Sequence, residues 1–288
     1  MTMTEAIMDI SRGGSSISYY SPESSPATAA AESPPDSSTC VRQAELTSLP
    51  AELASLIATI GGPEVRKRFR ETSVWFCDVA KGTIRCLAIT DPRAISSLKI
   101  SRYRSLKQLI VNNIGFGLSP DSARTIAEVL RGHRALTSLN LRNASLGFCW
   151  ESTQAIAVAL SENDTLTSIN LSYNWLGPCL SDCVRAIAGA LRMNSSLTSV
   201  DLSANYLGSS IQVAEAIAGV LRENTSLTSI DLRGNGLAMH PKAISTLSAA
   251  LRENSTLKSV DLRWNQLEKP DRERLTALSQ EIGKTILL

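Results

Sequence analysis

The chain has 288 residues, of which 43% are hydrophobic and 19% are charged, and its formal net charge at pH 7 is +2. This composition indicates a globular protein with a substantial core, and the small net charge favours neither nucleic acid nor an anionic membrane as a partner. Only two histidines are present, and no Walker motif, GxGxxG, HExxH or nucleophile elbow occurs, so we expect neither an enzyme nor a bound metal or cofactor.

Residues 1–42 form a leader that is rich in Ser, Thr, Pro and Ala. A segment of this composition buries too little apolar area to offset the entropy of ordering, so we predict disorder. Its simplest interpretation is a linker or tail, but it also resembles the uncleaved Ser/Thr-rich export signals of bacterial type III secretion substrates. No secretory signal or membrane span is predicted. The six cysteines contain no CxxC pair and indicate reduced thiols in a cytosol.

Residues 43–83 carry an amphipathic helical pattern that begins with the motif LPxELxxxI. Pro50 suits the first turn of a helix, and Leu53 and Ile57 lie four residues apart on one helix face. The segment resembles an F-box, the helical module that docks the Skp-type adaptor of cullin–RING ubiquitin ligases. The resemblance implies an adaptor-binding set of Leu49, Pro50, Leu53, Ile57, Val65 and Trp75.

The F-box resemblance is incomplete, because the first helix is one residue short and Glu71 stands where an apolar residue is usual. Two other interpretations therefore remain open for residues 43–83. The segment is either a helical cap over the exposed end of the repeat array that follows, or a stray fragment of the same repeat.

Residues 84–105 carry two partial copies of the leucine spacing found in the repeats that follow. The first copy consists of Ile84, Leu87 and Ile89, and the second of Ile95, Leu98 and Ile100. We predict that both copies form degenerate strands that lead into a sheet.

Residues 106–288 contain six similar repeats. The repeats begin at Leu106, Leu136, Leu166, Leu197, Leu227 and Leu257, with spacings of 30 or 31 residues. We number them repeats 1 to 6 and count positions from these leucines, so that a repeat reads LxxLxLxxNxL. Apolar residues at +3 and +5 lie on one face of a short strand, and the second half of each repeat has the apolar spacing of a helix. Such repeats bury a core only by stacking on their neighbours.

The repeat pattern resembles the ribonuclease-inhibitor type of leucine-rich repeat. The resemblance implies an α/β leucine-rich-repeat solenoid with a curved parallel sheet inside and helices outside, preceded by a small N-terminal helical F-box-like segment. The +8 residues Asn174, Asn205, Asn235 and Asn265 are expected to satisfy backbone groups in the bend after each strand. The order of segments is that of F-box/leucine-rich-repeat proteins. It also resembles GALA-type effectors, virulence proteins that bacteria inject into host cells.

Strand positions +2, +4, +6 and +7 are expected to face the concave side, away from the helices, and form the predicted binding face. Three aspartates form one column on this face, which is either a surface for a basic peptide or a solvated face neutralised by nearby arginines. Aromatic residues border the face at +7 and +9, and Trp and Tyr dominate interface hot spots. The predicted target-binding set is Tyr173, Trp175, Asp201, Tyr206, Asp231, Arg233, Asp261, Arg263 and Trp264.

Three functions are compatible with these patterns. The first is a monomeric substrate-recognition subunit of an SCF-type ubiquitin ligase, which acts in the cytosol or, as an exported effector, in the cytoplasm or nucleus of a host cell. The second is a leucine-rich-repeat binding or inhibitor protein with an N-terminal cap and no link to ubiquitin. The third, an enzyme with its own catalytic cysteine, is disfavoured because the region around Cys77 and Cys86 is small for a catalytic domain.

Overall fold

The structure, a computed structural model, describes residues 74–80, 83–89, 95, 104–112, 117–177, 181–240 and 242–288. The predicted leader and the proposed adaptor-binding residues Leu49, Pro50, Leu53, Ile57 and Val65 lie outside these residues. The described part contains strands and helices of all six repeats and a β-hairpin that precedes them.

The strands of the described part form one sheet, in which their spatial order is the same as their order in the sequence. They are β1 (Val74–Ala80), β2 (Thr83–Ile89), β3 (Gln108–Val111), β4 (Ser138–Asn140), β5 (Ser168–Asn170), β6 (Ser199–Asp201), β7 (Ser229–Asp231), β8 (Ser259–Asp261) and β9 (Thr285–Leu287). Strands β2 to β9 are parallel. From β3 to β8, each residue at +2 pairs with the +2 residue of the next repeat, so the register follows the repeat spacing.

From β3 onward, a helix connects each strand of the described part to the next. The helices are α1 (Pro120–Gly132), α2 (Trp150–Glu162), α3 (Ser181–Met193), α4 (Ile211–Glu223), α5 (Ala243–Glu253) and α6 (Lys269–Ile282). Short 3-10 turns, Leu146–Phe148 and Leu237–Met239, precede α2 and α5. Ser119 caps α1, because its Oγ accepts a hydrogen bond from the backbone N–H of Ser122 at 3.2 Å. Within the described residues, no helix is both long and apolar enough to cross a bilayer.

The core lies between the sheet and the helices. Val200 and Leu202 at +3 and +5 of repeat 4 are at most 1% exposed, as are Ile217 and Leu221 on the facing stripe of α4. The equivalent residues of the other repeats belong to the same buried cluster. This arrangement confirms the predicted alternation of parallel strands and helices, with the apolar stripe of each helix turned toward the sheet.

The prediction of a helical segment that extends to residue 83 is wrong at its C-terminal end. Residues 74–80 form strand β1, which is antiparallel to β2 and places Trp75 opposite Ala88. The sequence of β1, VWFCDVA, is mostly β-branched and aromatic, which favours a strand. The two residues between the paired Ala80 and Thr83 are the length of a tight hairpin link. Trp75 therefore lies on a strand and not on a helix of an F-box.

The first of the two predicted degenerate strands is part of the sheet. Leu87 and Ile89 of β2 pair with the +3 and +5 residues of repeat 1, as predicted. In the second copy, Ile95 is buried, whereas Leu98 and Ile100 lie outside the described residues, so the strand proposed there stays a prediction.

Strand β9 is an element that the repeat pattern does not predict. It pairs in parallel with β8, and Thr285 takes the +2 position opposite Ser259. Gly283 therefore stands at the position that holds a leucine in the six repeats. Ile286 and Leu288 keep the apolar +3 and +5 positions, but without the leucine the sequence pattern stops at repeat 6.

Candidate binding surface

Buried asparagines at +8 hold the loops that follow the strands. Asn205 Oδ1 accepts hydrogen bonds from the two backbone N–H groups on either side of Trp175, at 2.8 and 3.4 Å. Asn235 Oδ1 binds the loop around Tyr206 in the same way, at 2.8 and 3.3 Å. The expected role of these asparagines is confirmed, and the loops that carry the two aromatic residues are fixed before any partner binds.

Two glycines bring neighbouring loops into close contact. A Cβ atom at Gly177 would lie 2.0 Å from the carbonyl oxygen of Tyr206, and one at Gly147 would lie 2.0 Å from that of Trp175. A larger residue would push these loops apart. The glycines therefore allow side chains of consecutive loops to stack on one another.

The residues at +7 and +9 of repeats 2 to 6 adopt left-handed backbone, with φ angles between 53° and 64°. Glycine enters this region without steric cost, and repeat 5 carries Gly234 and Gly236 at these positions. Any other L-residue pays about 1–2 kcal/mol. The aromatic residues held in this conformation are Tyr173, Trp175, Tyr206 and Trp264.

Three aromatic side chains of consecutive loops, Phe148, Trp175 and Tyr206, form what we call the aromatic ladder. The ring centroids of Phe148 and Trp175 are 6.0 Å apart, and those of Trp175 and Tyr206 are stacked at 4.8 Å. Phe148 is 59% exposed and Tyr206 is 45% exposed. The ladder is thus a strip of solvent-accessible rings beside the face of the sheet that the helices leave open, which we call the open face.

The aspartates of repeats 5 and 6 on the open face are paired with arginines. Arg233 Nη2 lies 2.5 Å from Asp231, and Arg263 Nη2 lies 2.6 Å from Asp261. Arg233 Nε also lies 3.5 Å from Asp261, so the four groups form one network. These contacts favour the self-neutralised interpretation for this half of the face.

Asp201, in the same column of repeat 4, has no cationic partner within salt-bridge distance among the described residues. Ser203 stands where Asp231 and Asp261 have an arginine two residues further on. The Asp201 carboxylate accepts hydrogen bonds from Asn170 Nδ2 at 3.0 Å and from the Ser203 N–H at 2.9 Å. Burial raises the pKa of Asp201 above its ordinary value, and the nearby Asp231 carboxylate adds to this increase. The hydrogen bonds from Ser203 and the more distant charge of Arg233 oppose it.

A chain of hydrogen bonds links Asp201 to Arg142 across the open face. Arg142 Nη1 donates to Ser172 Oγ at 3.2 Å, and Ser172 Oγ donates to Asn170 Oδ1 at 2.7 Å. Asn170 in turn donates to Asp201, as described above. The Arg142 guanidinium carbon also lies 3.9 Å from the ring centroid of Tyr173. Arg142 and Asp201 are therefore the two ends of one polar network.

Trp264 makes a second cation–aromatic contact on the open face. The guanidinium carbons of Arg233 and Arg263 lie 5.5 and 5.8 Å from its ring centroid. Trp264 nevertheless remains 72% exposed. It is therefore oriented by the charged network while most of its surface is accessible to a partner.

The structure places the predicted target-binding residues in two groups. The first group, in repeats 3 and 4, contains Tyr173, Trp175, Asp201 and Tyr206. The second group, in repeats 5 and 6, contains Asp231, Arg233, Asp261, Arg263 and Trp264. Sequence reasoning missed Phe148, which lies outside the leucine pattern. It also missed Arg142, because only the three-dimensional contacts show that no described carboxylate pairs with it.

Within the described residues, no group of His, Cys, Asp and Glu side chains could hold a metal ion. Cys86, Cys149 and Cys183 form no disulfide in this part of the chain. The surface described above therefore consists of aromatic rings, hydrogen-bonding groups and paired or isolated charges.

Three segments of the chain, 162–178, 223–238 and 253–273, match a family described as Leucine Rich repeat. These matches and the alternation of parallel strands with helices identify the fold as a leucine-rich-repeat solenoid, which implies a role in protein–protein interaction. No curated protein sequence matches the chain.

Several solved structures are similar to this fold. Leiomodin-1 Actin-Binding Site 2 is 19% identical with a TM-score of 0.41, over 66% of this chain and 93% of that chain. The tropomodulin C-terminal domain of Caenorhabditis elegans is 14% identical with a TM-score of 0.44, over 56% and 93%. The leucine-rich repeat-containing protein LegL7 of Legionella pneumophila is 21% identical with a TM-score of 0.43, over 72% and 74%.

Proposed function

We propose that this chain is a protein-binding module that performs no bond chemistry and holds its partner on the open face and the aromatic ladder. The observation that carries this proposal is the set of exposed or half-exposed aromatic residues in left-handed backbone. Trp175 and Tyr206 occupy positions where Gly236 of repeat 5 provides the same turn without strain.

The stability of the loops does not explain these aromatic residues. Each pays about 1–2 kcal/mol for its backbone conformation, and an exposed ring regains only part of this by partial stacking. Rigid, partly exposed Trp and Tyr side chains are the residues that most often dominate binding energy at protein interfaces. Because asparagines fix their loops, little further ordering is needed on binding. The presence of aromatic residues at these positions is therefore better explained by binding than by folding.

The variants Trp175→Gly and Tyr206→Gly test this role. Both should fold, because glycine is the residue that repeat 5 carries at the same position. We expect each to weaken partner capture at least about tenfold, since loss of an aromatic hot spot typically costs 2 kcal/mol or more. Capture from a eukaryotic lysate by the immobilised protein, quantified by mass spectrometry against wild type, measures the effect.

The matched control is Met193→Ser, which removes a side chain that is 76% exposed on α3, away from the proposed surface. It should capture the same proteins as wild type. Equal capture by wild type and both glycine variants would exclude the aromatic ladder as the binding surface.

The F-box resemblance supports a narrower second proposal, a substrate-recognition subunit of a cullin–RING ubiquitin ligase that acts in the cytosol or, after type III export, in a host cell. It rests on the motif LPxELxxxI at Leu49–Ile57. The strand conformation of Trp75 removes one of the matches and favours the alternative, a leucine-rich-repeat binding protein whose N-terminal segment is a cap. Binding of a purified Skp-type adaptor that is lost in the double variant Leu49→Ala/Pro50→Ala would support the ligase role, whereas no binding by wild type would exclude it.

A further inference from the structure

The open face carries six charged side chains at positions +2, +4 and +6 of the described repeats. They are Arg142, Asp201, Asp231, Arg233, Asp261 and Arg263. The last four are paired with one another in the network of repeats 5 and 6. Arg142 and Asp201 remain, and neither has an oppositely charged group within salt-bridge distance among the described residues. The surface is thus neutral in sum but carries one unmatched cation and one unmatched anion.

These two unmatched groups are held in fixed positions. Ser172 and Asn170 connect them through hydrogen bonds of 3.2, 2.7 and 3.0 Å, all donated in the direction from Arg142 toward Asp201. Arg142 is also fixed by its contact with Tyr173. Arg142 uses one of its guanidinium N–H groups in this chain and has others left for a ligand. Both groups are half-buried, so neither is fully solvated by water.

The equivalent aspartates of repeats 5 and 6 indicate what kind of group would pair with Asp201. Asp231 and Asp261 each receive a guanidinium group from the residue two positions further on, and Ser203 removes that group in repeat 4. A desolvated carboxylate without a cation is costly, and a cation supplied from outside would remove this cost. The site next to Asp201 therefore suits a lysine or arginine side chain of a partner.

The spacing of the two charges limits what the partner can be. Arg142 at +6 follows β4 and Asp201 at +4 ends β6, so they lie two strand spacings apart, roughly 10 Å across the sheet, with an offset of two residues along the strands. A polyproline-II segment advances about 9.3 Å in three residues and presents every third side chain on the same side. A segment that crosses the strands in this conformation can therefore face both charges with side chains three residues apart. The aromatic ladder also runs across consecutive repeats, so such a segment would lie parallel to it. Aromatic surfaces are common docking sites for polyproline-II segments.

We propose that the open face recognises an extended segment of a partner protein through two opposite charges three residues apart, a basic side chain at Asp201 and an acidic side chain at Arg142, while neighbouring apolar residues of the segment contact the aromatic ladder. This proposal deepens the proposed binding function and rests on it.

Selection from a phage-displayed library of random dodecapeptides on the immobilised full chain tests the proposal. Enriched peptides should carry a basic and an acidic residue three positions apart, together with apolar residues. Against Asp201→Asn the basic preference alone should disappear, and against Arg142→Ser the acidic preference alone should disappear. For the best wild-type peptide, each variant should raise the dissociation constant at least about tenfold, since charge-assisted contacts of this type carry that much binding energy.

Other repeats of the chain carry the substituted residues at the same positions, so both variants should fold. The chain also offers a matched control. Asn140 and Asn170 occupy the position of Asp201 in repeats 2 and 3, and Ser172 and Ser203 occupy the position of Arg142 in repeats 3 and 4. Ser161→Arg adds the same unit of positive charge as Asp201→Asn, but on helix α2, where other repeats also carry arginine. It should leave peptide affinity unchanged.

Two kinds of failure are distinguishable. If the enriched peptides lack the charge pair, yet lose affinity in Trp175→Gly and Tyr206→Gly, the two-charge proposal is wrong and the binding function remains. If no peptide is enriched, or if the enriched peptides bind all these variants as well as wild type, both proposals fail.

Discussion

Asp201 differs from Asp231 and Asp261 although all three residues occupy the same position of their repeats. The difference comes from a single side chain, because Ser203 stands where the other two repeats carry an arginine that pairs with the aspartate. Repeat spacing predicts the column of carboxylates, since strand register follows from it. It does not predict which carboxylate has no salt bridge to a described residue, because Arg233 reaches Asp231 and Asp261 but does not reach salt-bridge distance of Asp201.

The raised pKa of Asp201 predicts that Asp201→Asn stabilises the protein at pH 7. The pKa is higher in the folded state than in the unfolded state, mainly because of desolvation, so ionisation of this group opposes folding. The stabilising contribution of the protonated form is complete below the unfolded pKa and is lost as the pH rises through the folded pKa. Asparagine does not ionise, so the variant keeps this stability at neutral pH. Asn140 and Asn170 occupy the same position in repeats 2 and 3, which shows that asparagine fits there.

Urea unfolding of wild type and Asp201→Asn between pH 3 and pH 8 measures this effect. The free energy of unfolding of the variant should exceed that of wild type at neutral pH, and the difference should shrink as the pH falls toward the ordinary carboxyl pKa of about 3.9. A variant that is less stable at pH 7, or a difference that does not depend on pH, would contradict the assignment. A gain in stability together with weaker peptide binding would show that this carboxylate is retained for binding.

The elements of the solenoid are joined by two columns of buried asparagines. The +8 column was predictable from the sequence, because an amide at a bend has few other roles. The second column, Asn163, Asn194, Asn224 and Asn254, ends the helices and binds the preceding helix, as in the 2.8 Å bond from Asn194 Nδ2 to the carbonyl of Leu160. At its last position the ammonium group of Lys284 replaces the amide and donates to the carbonyl of Leu251 at 2.8 Å. Burial lowers the pKa of Lys284, and nothing in the repeat pattern predicts a lysine in this role.

The contacts of the +8 column predict a large loss of stability in Asn205→Ala. Asn205 accepts two backbone N–H groups of the preceding loop, and its Nδ2 donates to the carbonyls of Leu171 and Leu202 at 2.8 and 3.1 Å. Alanine would leave the two buried N–H groups without partners, at about 1–3 kcal/mol each, and would remove one of the two donors to each carbonyl, which Asn174 and Asn235 still serve. The total cost should therefore be about 3 kcal/mol or more. Chemical denaturation of the purified variant measures it.

Asn140→Ala is the control for this experiment. Asn140 is half-buried on the open face, and its Oδ1 accepts one hydrogen bond, from the Arg142 N–H at 2.9 Å. Its loss should cost about 1 kcal/mol or less. If the two variants are equally stable, the +8 asparagines do not hold the loops as described.

At the scale of the whole molecule, the repeat region was predictable and its ends were not. Six registers with the same spacing impose the parallel sheet, since a shift of one residue would turn every buried side chain toward solvent. The ends lack this redundancy. In the sequence, the hairpin of β1 and β2 looks like a continuation of the amphipathic helical segment. Its strands are recognised only in the structure, where they pair with each other and β2 pairs with β3. The aromatic ladder is intermediate, because the sequence shows its rings but not that Phe148 completes the stack.

The position of the hairpin at one end of the sheet predicts which repeats a core substitution in the hairpin will destabilise. Leu87 of β2 and Leu202 of repeat 4 are both fully buried, so replacement of either by alanine should cost about 2–5 kcal/mol in unfolding experiments. The two substitutions should nevertheless affect different repeats, because each repeat contacts only its neighbours. Leu87→Ala should speed amide hydrogen exchange in repeats 1 and 2 and leave repeats 5 and 6 protected, whereas Leu202→Ala should affect repeats on both sides of repeat 4. Unchanged exchange in repeat 1 of Leu87→Ala would show that the hairpin does not cap the sheet. In that case the F-box interpretation of the N-terminal segment would regain support over the cap.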